Sequence, residues 1–276
     1  MGLSKPKRLQ APSRVEPFVM SDGRPWLAVR LGARKFMALA DTGSTQPFLA
    51  PEIVKLVDHL PVGETEVRTP FGVRSAAKVQ LSAMEINGRR FEKPVTIVER
   101  RAADQVDPII GASILFSSSN TYFSQDGILF DIDESLLSSC QHVPVVIDLT
   151  GNTYQSPLAA VYFQIKINGE IQKVFFDTGQ SEPLVGTARS RRSDRPFAWG
   201  RPGLLVHPSS GRVRLSWSQP SLGRLEIGNQ ELELEYVRQS GLDHEDADFF
   251  MGAGIFKHYS ILVVPRKGRA CFIPVQ

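Results

Sequence analysis

The chain has 276 residues, of which 42% are apolar, and a formal charge of +3. That length suits two units of ordinary domain size, the apolar fraction argues against global disorder, and so mild a charge points to no polyanionic partner such as nucleic acid. Only two cysteines are present, Cys140 and Cys271, which is no disulfide framework and a poor metal site, so each is expected as a solitary buried thiol.

Met1 to Arg14 carries Lys5, Lys7, Arg8 and Arg14 but no apolar core of a signal peptide. No apolar run is long enough to span a membrane. The segment reads as a basic tail and the protein as cytoplasmic. From Val15 onward the texture is strand and turn. Trp26 to Leu31 alternates, Gly32-Ala33 turns, and Phe36 to Ala40 runs into Asp41, the pattern of a hairpin feeding a loop. Pro51 to Leu60 predicts a short helix with Pro51 in its first turn. Thr65 to Leu81 predicts two strands around Thr69-Pro70-Phe71-Gly72. Asn87-Gly88 is a strong short hairpin signal. Val95 to Val98 predicts a strand, Ala112 to Phe116 a helical turn, and Tyr122 to Ile132 a hairpin around Asp126-Gly127. Ser135 to Gln155 is the join, with one strand-like run from Val143 to Leu149. Leu158 to Ile167 and Val174 to Phe176 then form a second hairpin leading into Asp177. Arg189 to Arg201 is a basic insert, Gly203 to Leu215 a hairpin around Ser210-Gly211, and Arg224 to Val237 a pair of strands. Ile261 to Val264 and Ala270 to Ile273 close the chain as another hairpin. Long helical periodicity is absent, so the class is all-β.

The elements repeat. Leu39-Ala40-Asp41-Thr42-Gly43-Ser44 returns as Phe175-Phe176-Asp177-Thr178-Gly179-Gln180. At the same spacing Val29 falls on Ile165 and Leu31 on Ile167. Further on, Met84 to Gly88 resembles Leu225 to Asn229, Phe91 matches Leu232, and Asp107 to Leu115 matches Asp248 to Phe256, with Ile110-Gly111 on Met251-Gly252. One short length difference reconciles the two spacings. A single Asp-Thr-Gly is an ordinary turn sequence. Two in a repeated framework mark a duplicated unit, each with one carboxylate at the end of a buried strand.

Apolar-Asp-Thr-Gly followed by apolar-apolar-Gly resembles the aspartic peptidases, both the two-lobed pepsins and the dimeric retroviral-type enzymes. The resemblance covers nearly the whole chain apart from the tail, the join and the basic insert. It implies two pseudo-symmetric retropepsin-like β-barrel lobes with the active-site cleft between them, within one chain. The tail is 1–14, the first lobe 15–134, the connection 135–156 and the second lobe 157–276. It implies Asp41 and Asp177 as the catalytic pair, with Thr42 and Thr178 cross-bracing the loops. Gly43 and Gly179 would allow the tight turn, and Ser44 and Gln180 would complete the loops. Ile110, Gly111, Met251 and Gly252 would pack beneath, and Phe71-Gly72 and Ser210-Gly211 would mark the flaps. Ser44 is common in the family; Gln180 is unusual.

Two carboxyls that close cannot both ionise, so the pair holds one proton and can serve as base and acid at once. The implied activity is endopeptidase hydrolysis by an activated water, with no cofactor and no metal. The substrate would be a peptide or protein, and the chain a monomer that needs no nucleic acid or membrane. The alternative is a non-catalytic peptide-binding or scaffolding module on the same fold. Of the five histidines none makes a zinc spacing. His207 falls in the second flap hairpin, where it faces substrate in one reading and solvent in the other. The insert arginines read as a solvated loop.

Overall fold

The computed structural model describes residues 19–69, 72–98, 108–117, 120–132, 140–148, 160–187, 189–190, 195–196, 201–206, 213–239 and 246–275. The described chain is almost entirely β-structure, in one ten-stranded and one thirteen-stranded sheet. Expected features at the tail, at Phe71, Ser210, Gly211 and His207, and through most of the basic insert lie outside the described residues.

Strands Arg24–Leu31 and Arg34–Asp41 form the first hairpin. Leu27, Val29 and Leu31 are buried while their neighbours keep exposed surface, the two-residue period of a strand with one face on a core. The end of Arg34–Asp41 is buried on both faces, through Ala38, Leu39 and Ala40. It lies between Arg24–Leu31 and the parallel strand Ile109–Gly111. The second half repeats this plan with Ala160–Ile167, Glu170–Phe176 and Phe249–Met251. Leu39 faces Ile109 and Ala40 faces Ile110; at the aligned positions Phe175 faces Phe250 and Phe176 faces Met251. The sequence repeat is therefore a repeat of hydrogen-bonded rungs.

The halves differ in how they close. Strand Val213–Ile227 runs unbroken and reaches Ala160–Ile167 through Lys166↔Glu226 and Ile167↔Leu225, which closes a ring of strands. In the first half the same length is split at Ser82 into Gly72–Leu81 and Ala83–Ile86. Ser82 spends its N–H on Asp58 and its carbonyl on Lys93 instead of a neighbouring strand. Ala83–Ile86 then turns back through Asn87 and Gly88, both at positive φ (51° and 75°), into Arg89–Glu92, as a tight hairpin requires. The helix after Pro51 is shorter than expected and covers Pro51–Val54. The strand His59–Thr69 starts within the predicted helix because its pairing with Gly72–Leu81 claims those residues. Gly72 sits opposite Thr69 at the end of that ladder.

The halves meet in the second sheet. Thr121–Ser124 pairs with Tyr259–Val264, flanked by Gly127–Phe130 on one side and by Arg269–Pro274 and Gln141–Asp148 on the other. The rung Tyr122↔Leu262, with each residue exchanged for its repeat counterpart, becomes Val263↔Thr121, which is the adjacent rung. The pseudo-twofold axis therefore passes between these two rungs. Phe123 sits beside it, with ring centroids 5.7 Å from Phe116, 5.2 Å from Phe176 and 6.3 Å from Phe256. One apolar core runs through both halves.

The cysteines are not solitary thiols. Cys140 and Cys271 form a disulfide with a Cα–Cα distance of 5.5 Å. The ladder between Gln141–Asp148 and Arg269–Pro274 sets His142 opposite Cys271, and this brings Cys140 to its partner across a sequence separation of 131.

Candidate active site

Each Asp-Thr-Gly loop begins where a buried strand ends, and the two loops meet face to face across the pseudo-twofold. The threonines hold them together. Thr42 Oγ1 donates to the Phe176 carbonyl (2.7 Å) and accepts from the Thr178 N–H (3.0 Å). Thr178 Oγ1 donates to the Ala40 carbonyl (2.6 Å) and accepts from the Thr42 N–H (3.0 Å). Both threonines are fully buried. Each hydroxyl is satisfied only by the opposite loop, so separating the loops would strand four buried polar groups.

The carboxyls lie above this brace. Asp41 Oδ1 accepts from the N–H groups of Gly43 (2.9 Å) and Ser44 (3.2 Å), and Asp177 Oδ1 accepts from Gly179 N–H (3.1 Å). The two side chains also share a hydrogen bond. Burial pushes both carboxyls above the usual carboxylate range. Asp177 is pushed furthest, because the charge on Asp41 and the hydrogen bond between them add to its burial. For Asp41 the bond to Asp177 and the loop N–H groups oppose the effect of burial. The arrangement keeps one proton on the pair past the pH at which an isolated aspartate loses it.

The glycines set the closeness. A Cβ on Gly43 would collide with the Asp177 carboxylate, and one on Gly179 would stand 2.7 Å from Asp41 Oδ1. Beneath the first loop, Ile110 is fully buried, and a Cβ on Gly111 would stand 2.5 Å from the Gln46 carbonyl. Ala112 and Ser113 donate to the carbonyls of Ser44 (2.7 Å) and Thr45 (3.0 Å). Beneath the second, Met251 is fully buried and its carbonyl accepts from Asp177 N–H (2.9 Å). A Cβ on Gly252 would stand 2.6 Å from the Gln180 carbonyl, which accepts from Ala253 N–H (2.8 Å). The structure thus brings Asp41 to Ser44 and Asp177 to Gln180 together over Ile110-Gly111 and Met251-Gly252. It does not bring Gly72 into this contact set, and the other flap positions are not described.

Two neighbours were missed from sequence. Gly254 lies under the second loop, where a Cβ would stand 2.6 Å from the Ser181 carbonyl. The signal for it was the small residue Ser113 at the aligned place. Gly23, at the N-terminal turn, approaches Ser181 so closely that a Cβ would stand 3.0 Å from its side chain; nothing in the repeat pointed to that contact. An open cavity of about 460 Å³ also exists, lined by residues such as Gln230, Leu232, Lys257 and Tyr259. It contains neither loop and only one carboxylate, Glu231, so it is a poorer candidate. Among the described residues, no group of His, Cys, Asp and Glu side chains could hold a metal ion.

No family model matches the chain, and no curated protein matches its sequence. Solved structures do. The aspartic proteinase from Irpex lacteus is similar with a TM-score of 0.60 at 13% identity, over 95% of this chain and 97% of that one. The fold is therefore that of the bilobed aspartic proteases, all-β with two barrel-like sheets.

Proposed function

We propose that the chain is an aspartic endopeptidase and that Asp41 and Asp177 are its catalytic residues. The observation that carries this reading is the hydrogen-bonded carboxyl pair, half-buried and braced by Thr42 and Thr178 across the pseudo-twofold. With one proton on the pair, the ionised carboxylate takes a proton from water as that water attacks the peptide carbonyl. The protonated carboxyl gives a hydrogen bond, then its proton, to the carbonyl oxygen. The resulting tetrahedral diol collapses as the protonated carboxyl gives its proton to the departing amine and the other carboxylate takes a proton from a diol hydroxyl, leaving an acid and an amine with the pair singly protonated again. Protein atoms around the carboxyls strengthen each of these interactions relative to water.

The substrate in this reading is an extended peptide lying between the lobes, paired with strand edges in the manner of an added strand. The chain acts as a monomer, since each half supplies one aspartate. The Cys140–Cys271 disulfide favours an oxidising compartment over the cytoplasmic one expected from the tail. Among the described residues no helix is long and apolar enough to cross a membrane.

The test is cleavage of an unbiased peptide mixture from acid to neutral pH, with Asp41→Asn and Asp177→Asn beside the wild type. Activity lost in both variants supports the proposal, with a drop of at least about a thousandfold expected for removal of half an acid–base pair. Activity that survives both substitutions sinks it. A folded wild-type protein that binds peptides but cleaves none at any pH favours the binding module.

A further inference from the structure

Ser44 and Gln180 occupy equivalent places, and their backbones are used alike. The Ser44 carbonyl accepts from Ala112 N–H at 2.7 Å and the Gln180 carbonyl from Ala253 N–H at 2.8 Å. The side chains behave differently. Ser44 Oγ turns into its own loop and donates to the Gln46 carbonyl at 2.9 Å. Gln180 is half-buried, and its amide has no hydrogen-bond partner among the described residues. It is not a buried orphan either, so the amide reaches accessible space. A longer polar group with no bond among the described residues thus stands three residues after one aspartate, where the other is followed by a serine bonded within its own loop.

The strand faces that carry the two aspartates are unequal in the same sense. Leu39 shares a face with Asp41, because strand residues two apart point the same way. The rungs beside Leu39 are Trp26 and Ile109, and Phe48 lies beyond Ile109. Trp26, Ile109 and Phe48 all keep exposed surface. The aligned face beside Asp177 carries Phe175, Tyr162 and Phe250, which are only 5%, 2% and 5% exposed. Their rings pack on one another at 5.2 and 5.4 Å, and the Lys173 ammonium sits 4.3 Å from the Tyr162 ring. The Asp41 side therefore offers apolar surface. The Asp177 side has its rings buried and offers an amide.

We infer that Gln180 is a specificity-determining residue. Its side-chain amide hydrogen-bonds a polar side chain of the peptide, of the Asn, Gln, Ser or Thr class, on the Asp177 side. The Asp41 side receives an apolar residue. The site is then read in one direction in spite of its pseudo-twofold. This inference rests on the peptide site proposed above.

The experiment uses peptides that differ only in the two residues flanking the cleaved bond, Asn or Leu at each in turn. Wild-type protein is expected to favour Asn at one flank and Leu at the other, read as ratios of kcat/KM. Gln180→Leu is expected to lower the Asn preference by about three- to tenfold, the net worth of one hydrogen bond. Gln180→Asn, with the same amide on a shorter stem, is expected to retain part of it. The exchange Ser44→Gln with Gln180→Ser should move the Asn preference to the other flank. Ratios unchanged in Gln180→Leu, or the same in both flanks of the wild type, overturn the inference. The same peptides are also bound to the Asp177→Asn protein by fluorescence anisotropy. A binding ratio that depends on Gln180 without any cleavage by wild type upholds this inference and overturns the peptidase. No peptide binding by the variant, with or without the Gln180 changes, overturns the inference.

Discussion

Two half-buried carboxyls that share a hydrogen bond make the folded protein a better proton acceptor than the unfolded chain. Burial raises both Asp41 and Asp177, and the charge of Asp41 raises Asp177 further. The sign of the consequence follows from linkage. In the unfolded chain an aspartate titrates near 3.9. Below that value both states hold the proton and the site carries no electrostatic cost. As pH rises through the raised folded-state values, the unfolded chain releases protons more readily, and stability is lost. Asp177→Asn removes the group that is raised most. We expect the variant to exceed the wild type in urea midpoint at neutral pH, with the difference shrinking as pH falls toward 4. A variant less stable than wild type at neutral pH would mean that the carboxyl stabilises the site through its hydrogen bonds more than its burial costs. The dyad residues were legible in the sequence because Asp-Thr-Gly occurs twice behind apolar residues. Their protonation was not, because two near-identical loops carry no signal for the order of titration.

At the scale of elements, the repeat predicted which strands flank the loops, since the buried runs before Asp41 and Asp177 and the Ile110-Gly111 and Met251-Gly252 pairs carry the pattern in short local segments. The elements that differ between halves were harder. The split of Gly72–Leu81 from Ala83–Ile86 depends on bonds from Ser82 to Asp58 and Lys93, and no local pattern announces them. The disulfide was misread for the same reason: Cys140 and Cys271 become neighbours only through a ladder between distant strands. It fastens the connecting strand Gln141–Asp148 to the terminal strand Arg269–Pro274, both of which belong to the sheet that joins the halves. Cross-linking residues this far apart removes much unfolded-chain entropy. Its loss is expected to cost about 2–5 kcal/mol. The measurement is urea unfolding of wild type and Cys140→Ala with and without reductant. Reductant should lower the wild-type midpoint to that of the variant and leave the variant unchanged. A wild-type midpoint indifferent to reductant would show that the bridge adds no stability.

At the scale of the whole molecule, the two repeated halves, one closed into a ring of strands and the other not, are not independent. Thr121–Ser124 of the first half lies against Tyr259–Val264 of the second. Thr42 and Thr178 are satisfied only by each other's loops. The core extends from Leu27 to Phe272 without a break between halves. Phe123 is the residue in which these links converge. It comes from the first half, is fully buried, and packs edge-on to Phe176 and stacked with Phe256, both from the second. Phe176 in turn gives its carbonyl to Thr42 and immediately precedes Asp177. A cavity at Phe123 would therefore loosen the joining sheet and the brace together. Phe123→Ala is expected to cost about 3–5 kcal/mol, and unfolding is expected to remain a single transition. Tryptophan fluorescence and far-ultraviolet circular dichroism should give coincident urea curves for both proteins, with the variant curve displaced to lower urea. Of the three tryptophans Trp26 belongs to the first half of the sequence and Trp199 and Trp217 to the second, so replacing Trp26 with Phe, or the other two together, separates the two signals. Curves that part company, one half melting before the other in wild type, would show that each half holds its own fold. The candidate site would then be the contact of two stable domains rather than the centre of one.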